Sequence, residues 1–313
     1  MSNQPLAFVF PGQGSQKVGM LAELAADHPI IQETFAEASQ VLGYDLWVLV
    51  QDGPQEELNL TERTQPMLLT ASVALWRVLK QKGAAQPVLM AGHSLGEWSA
   101  LVCSGVVAFA DAVKLVQLRG KYMQQAVPAG VGAMAAIIGL ADDAINSACE
   151  AASGDEVVAA VNFNSPGQVV IAGHAGAVER AIAGCKEAGA KRALPLPVSA
   201  PFHTSLMKPA ADQLSAAIEA TEFCAPAVPI VHNVNAATES DPVKIKALMI
   251  EQIYTPVLWV DCTKALVDAG ISQVVECGPG KVLSGLCRRV DKSLTAFTTD
   301  APADLEKALA ELA

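Results

Sequence analysis

Hydrophobic positions along the chain alternate between two rhythms. Short continuous apolar runs at Leu6–Phe10, 88–91, 229–233, 271–276 and 294–297 predict buried β-strands. Between them lie longer stretches with apolar residues three and four apart, which predict helices. These cover 20–42 with an interruption at His28-Pro29, Thr61–Gln81 with Gly83 as a stop signal, and 109–127. Further on they cover 206–220, 243–254, 281–290 and the terminal residues. Strands that alternate with helices in this way predict an α/β fold with a mostly parallel sheet.

One stretch has a different rhythm. Strand 133–139, helix 141–152, strand 157–161, a turn at 162–167, strand 168–172, helix 175–188 and strand 191–196 follow in order. The sequence β-α-β-β-α-β is that of a ferredoxin-like unit. It predicts a small subdomain, residues 129–198, inserted into a discontinuous core made of 1–128 and 199–313. The cleft between the two parts is the expected ligand site.

Composition narrows the class. Half of the 313 residues are hydrophobic, enough for a sizeable core, and the net charge of −11 disfavours nucleic acid as a partner. Seven scattered cysteines without a C-x-x-C spacing predict a reducing compartment, buried thiols and no metal site. Neither a signal-like N-terminus nor a membrane-length apolar run is present, which predicts a soluble cytoplasmic protein without membrane contact.

The candidate chemistry centres on Gly92-His93-Ser94-Leu95-Gly96-Glu97, a G-x-S-x-G between a predicted strand and a predicted helix. That context is a nucleophile elbow, with Ser94 in a strained turn and a helix N-terminus behind it. The loop Pro11-Gly12-Gln13-Gly14-Ser15-Gln16 ends the first strand, on the sheet edge where ligands bind in open α/β folds. A serine hydroxyl needs a base, and five histidines are available. His28 precedes a proline in a helical region, His93 is the elbow's own variable position, His174 ends a strand, and His232 lies in one beside Asn233. His203 follows Pro201-Phe202 in a loop after the serine in chain order, as the base of an α/β-hydrolase does. No carboxylate between them stands out: Asp111, Asp142, Asp143 and Asp155 read as helical or loop-tip residues. A backbone carbonyl could then orient the imidazole instead. Arg119, in an otherwise apolar helix, could by itself be a helix-dipole partner.

These motifs fall in a recognisable order. Phe10-Pro11-Gly12-Gln13-Gly14-Ser15-Gln16, Gly92-His93-Ser94-Leu95-Gly96-Glu97, Arg119-Gly120, Asn162-Phe163-Asn164-Ser165-Pro166-Gly167-Gln168, Pro201-Phe202-His203 and Glu276-Cys277-Gly278-Pro279-Gly280 are similar to the bacterial malonyl-CoA:acyl carrier protein transacylases. The resemblance runs along essentially the whole chain. It implies an α/β-hydrolase-like core with a ferredoxin-like insert, and malonyl transfer from malonyl-CoA to acyl carrier protein for fatty-acid synthesis. It implies Ser94 as nucleophile, His203 as proton relay, and backbone N–H groups of Gln13 and Leu95 as oxyanion hole. Arg119 would bind the malonyl carboxylate, as its planar fork suits. Gln252 would offer its backbone carbonyl to the histidine. Phe202, Asn162 and His93 would line the substrate pocket, and a bulky Phe202 would crowd a branched acyl group. The resemblance further implies a monomer with no bound cofactor, coenzyme A thioester serving as substrate.

Four residues stay open on sequence grounds. Gln16 could touch substrate or order the cleft, and Lys191-Arg192 could meet phosphates, an acidic carrier or only solvent. Trp98, where these enzymes often have Tyr, is a departure expected to affect packing alone. The competing readings are a serine hydrolase, a non-catalytic carrier-docking subunit and a polyketide-pathway transferase.

Overall fold

The computed structural model describes residues 5–198 and 200–312. Five parallel strands form the main sheet in the order β7-β2-β1-β8-β9, with β1 Leu6–Phe10, β2 Leu89–Gly92, β7 Ile230–Val231, β8 Gln273–Glu276 and β9 Thr295–Thr298. Both faces of this sheet are covered. Along β1, Leu6, Phe8 and Phe10 enter one apolar cluster while Ala7 and Val9 enter a second. The two-residue period of a strand thus explains why β1 reads as an unbroken apolar run.

The helices follow in chain order. α1 (Ala22–Asp27) and α2 (Ile30–Leu42) flank the His28-Pro29 break. α3 (Leu46–Asp52) and α4 (Gln55–Leu58) are short, and no sequence periodicity marks them. α5 (Thr61–Gln81) has the predicted bounds, and Gly83 follows it in the left-handed region at φ 75°. α6 (Leu95–Cys103) starts from the elbow, and α7 (Phe109–Gln125) crosses α5.

Four strands and two helices make up the middle stretch. β3 (Gly132–Ile138), α8 (Asp142–Ser153), β4 (Val158–Ser165), β5 (Gln168–His174), α9 (Ala175–Glu187) and β6 (Arg192–Pro195) give an antiparallel sheet of order β4-β5-β3-β6. Alternation sorts its two faces. Ala135, Ile137, Val169 and Ile171 pack into a cluster with α8 and α9, whereas Met134, Val161, Val170 and Ala172 join the main core. One expectation is corrected here. Residues 162–165 are not a turn but the end of β4, although Asn, Ser, Pro and Gly crowd the segment. The backbone stays extended because Phe163 N donates to Val257 O at 3.0 Å and Val257 N to Val161 O at 2.8 Å. Two register shifts against β5 absorb the irregularity.

The chain ends with α10 (Lys208–Ala220), α11 (Pro242–Glu251), α12 (Trp259–Asp268), α13 (Val282–Val290) and α14 (Pro302–Leu312). Of these, α12 lies in a stretch the sequence reading leaves unassigned, although Trp259, Cys262 and Leu266 bury one face at helical spacing. The thiols also differ in part from expectation. All seven are free, but Cys224 is exposed and Cys103 only half-buried.

Candidate active site

The elbow forms because β1, β2 and α6 approach more closely than side chains permit. A Cβ on Gly92 would lie 2.0 Å from the Gly96 carbonyl carbon, and one on Gly96 1.9 Å from the Phe10 carbonyl oxygen. Ser94, between them, adopts φ 51° and ψ −105°, a conformation L-residues avoid. Asn233 holds it there. Its Oδ1 accepts from Ser94 N at 2.7 Å and its Nδ2 donates to Gly92 O at 2.7 Å. The parallel pairing of Ala91 with Val231 brings Asn233 to this point from the end of β7.

His203 also has a positive φ, 63°, in the loop after Pro201. Its Nε2 lies 2.8 Å from Ser94 Oγ, and its Nδ1 lies 2.9 Å from the Gln252 carbonyl oxygen. A carbonyl can only accept, so Nδ1 carries the proton and Nε2 is left to accept from the serine hydroxyl. Burial, reinforced by the nearby Arg119 cation and opposed by the Gln252 carbonyl, lowers the His203 pKa to about 3. The imidazole is therefore neutral and ready to take a proton.

Arg119 is buried at the same point, 1 % exposed. α7 reaches it because Gly120 packs directly on α5, where a Cβ would come 2.5 Å from Thr61 O. Its Nη1 donates to Gln65 Oε1 at 2.9 Å, and its Nη2 to Gln252 Oε1 at 2.9 Å and to Ser94 Oγ at 3.2 Å. Its Nε has no partner among the described residues. Burial lowers its pKa to about 10, with Glu97 opposing, so it stays charged at neutral pH. A charged guanidinium with an unpaired buried N–H beside a nucleophile is suited to receive an anion.

The remaining sequence candidates fall into three groups. Gln13 follows Gly12, whose Cβ would sit 2.6 Å from the His93 carbonyl oxygen, so the glycine loop lies against the elbow. Leu95 opens α6, where the first N–H groups have no acceptor within the helix. Phe202, next to His203 in the chain, and Asn162, in β4, are both buried, at 8 % and 7 % exposure. His93 faces the end of β4. Its Nε2 meets Asn164 Oδ1 at 2.8 Å and its ring packs on Trp259, while burial lowers its pKa. Gln16 orders its own loop, accepting from Gly14 N and donating to Asn59 Oδ1. Trp98 is fully buried edge-on to Phe223. Lys191 and Arg192 are exposed.

Sequence reasoning missed four residues here: Gln65, Glu97, His232 and Asn233. Glu97 is fully buried and accepts from His232 Nδ1 at 2.7 Å, Asn233 N at 3.1 Å and Gln252 Nε2 at 2.7 Å. A glutamate in the first turn of an apolar helix, followed far downstream by a His-Asn pair at a strand end, is the signal that was available.

The pattern of the acyl transferase domain matches residues 7–301. The chain belongs to the acyl transferase family. A malonyl CoA-acyl carrier protein transacylase from Salmonella typhimurium is 60% identical over 305 residues, covering 97% of this chain and 99% of the relative. An acyl carrier protein S-malonyltransferase from Vibrio cholerae superposes with a TM-score of 0.95 at 60% identity, covering 97% and 99% of the two chains. A malonyl-transacylase solved in complex with its type II PKS acyl-carrier protein superposes with a TM-score of 0.97 at 55% identity, covering 98% and 100%. The acyl transferases of this kind thus share the parallel sheet and the antiparallel sheet described above.

Proposed function

We propose that this acyl transferase moves a malonyl group from malonyl-CoA to the phosphopantetheine thiol of acyl carrier protein, supplying fatty-acid synthesis. The observation that carries the reading is the convergence of Ser94, His203 and Arg119 within hydrogen-bond distance. Ser94 Oγ attacks the thioester carbonyl as its proton passes to His203 Nε2. Backbone N–H groups of Gln13 and Leu95 receive the oxyanion, an interaction in which one lost donor costs about 3 kcal/mol. Collapse expels the coenzyme A sulfur, which takes the proton back from His203 and leaves a malonyl ester on Ser94. The carrier thiol then gives its proton to His203, attacks the ester and regenerates the serine. No bound cofactor takes part; coenzyme A enters as the substrate thioester.

Arg119 supplies selectivity. In a malonyl ester the free carboxylate is two C–C bonds, about 2.5 Å, beyond the ester carbon. A guanidinium whose Nη2 is 3.2 Å from Ser94 Oγ is within its reach. Phe202 crowds the carbon between the two, while Asn162 and His93 line the cleft wall at the inserted sheet. We read residues 129–198 as an inserted subdomain on a core of 1–128 and 199–313, and the chain as a cytoplasmic monomer. No helix among the described residues is long and apolar enough to cross a membrane.

Intact-protein mass spectrometry after mixing with malonyl-CoA, followed by a chase with holo-carrier protein, tests the reading. A malonyl adduct mapped to Ser94 that persists in buffer and clears onto the carrier is expected. Equal clearance in buffer alone would make the chain a hydrolase. The absence of any adduct would favour a non-catalytic docking subunit.

The pH dependence supplies a second test. Because His203 is held neutral down to about pH 3, kcat/KM for acylation should stay level as pH falls from 7 to 5. A limb centred near 6.5 would mean a solvated imidazole. Stability behaves differently in that range. The unfolded chain protonates its histidine near 6.5 and the folded chain only near 3, so His203 subtracts stability progressively as pH falls between them.

A further inference from the structure

We propose that Glu97 is a positioning residue for acyl selection, acting on Arg119 through the side-chain amide of Gln252. The inference rests on the malonyl-transfer reading above. Glu97 has no exposed surface, and Gln252, equally buried, stands between it and Arg119. A lone buried carboxylate is disfavoured unless it is hydrogen-bonded, and this one is met by His232, Asn233 and Gln252.

The consequence follows from donor and acceptor roles. A carboxylate only accepts, so the Gln252 –NH2 must face Glu97, at 2.7 Å, and its second hydrogen reaches the Ser94 carbonyl at 3.0 Å. The amide oxygen is thereby aimed at Arg119 Nη2, 2.9 Å away. A flipped amide would set its oxygen against the carboxylate and its –NH2 against the guanidinium, both unfavourable. Glu97 therefore decides which way the amide points, and the amide in turn holds the guanidinium beside Ser94 Oγ. The negative charge of Glu97 also favours the charged form of Arg119 against burial. The backbone carbonyl that orients His203 belongs to Gln252 as well, but it does not depend on the amide's orientation.

A merely structural glutamate would staple β7 to α6 and affect every acyl donor alike. The test compares malonyl-CoA with acetyl-CoA, which lacks the carboxylate, in Glu97→Met, Gln252→Met and the double variant. Each single change should lower the malonyl-to-acetyl ratio of kcat/KM at least tenfold. The double variant should be no less selective than Gln252→Met alone, because both act through one amide. Parallel falls for the two donors, or additive losses in the double variant, would overturn the proposal. If Glu97→Met does not fold, Glu97→Gln decides in its place. It keeps the glutamate's size and can still meet His232 and Asn233, but its own amide no longer forces the orientation of the Gln252 amide. An unchanged malonyl-to-acetyl ratio there would overturn the proposal. Wild-type protein that forms no malonyl adduct would instead count against the transfer reading itself.

Discussion

Replacing His203 by alanine should slow acylation of Ser94 by about a thousandfold or more, measured as the rate of adduct formation from malonyl-CoA. General-base assistance is typically worth about 10²–10⁴-fold, and no other histidine among the described residues bonds the hydroxyl. The other ring close to the elbow, His93, points to Asn164 and Trp259 rather than to the hydroxyl. His232 is engaged by Glu97 through its Nδ1. Rates within tenfold of wild type would hand the base to another group.

Replacing Arg119 by alanine should invert donor preference rather than abolish chemistry. Transfer of malonyl should fall about a hundredfold or more, since an unpaired carboxylate in a buried site costs about 3 kcal/mol or more. Acetyl transfer should be kept or should rise, because the space vacated suits an uncharged acyl group. The measurement is kcat/KM for both donors on the same preparation. A parallel loss would show that Arg119 serves the packing of α5 against α7, through Gln65, and not the substrate. The change should also raise the His203 pKa, because the arginine is the second-largest cause of its depression after burial.

What the sequence made legible divides along physical lines. The elbow, the glycine loop and the strands around them were readable because each is a local pattern, an apolar run closed by glycines at fixed spacing. The inserted β-α-β-β-α-β unit was readable for the same reason, since its order alone names it. His203 could be singled out by chain position, and the lack of a suitable acid pointed to a carbonyl orienter, which is where Gln252 O lies. Less visible were contacts made only by parallel register. Asn233 reaches the elbow because β7 runs beside β2, and the His-Asn pair at the strand end does not by itself reveal that neighbour. The sequence reads the end of β4 as a turn, but its turn-forming residues are overruled by a bridge from Asn162 to Val257, far away in the chain. Gln65 was hidden in a helix whose apolar pattern explains it well enough without function.

Gln252 serves two neighbours at once. At the C-terminal cap of α11, its carbonyl accepts from His203 Nδ1 and its amide oxygen from Arg119 Nη2, so in the proposed mechanism one residue would support both the speed of proton transfer and the choice of cargo. Traits that share a support do not vary independently. A lineage drifting toward bulkier or uncharged cargo by moving that helix end would disturb its own proton relay, and would need a compensating change before the new preference could be selected. Substitutions at Arg119 itself escape this linkage more readily, because they leave the backbone at 252 in place. Changes of cargo among such enzymes are therefore expected to be written first on α7, with the cap of α11 held fixed.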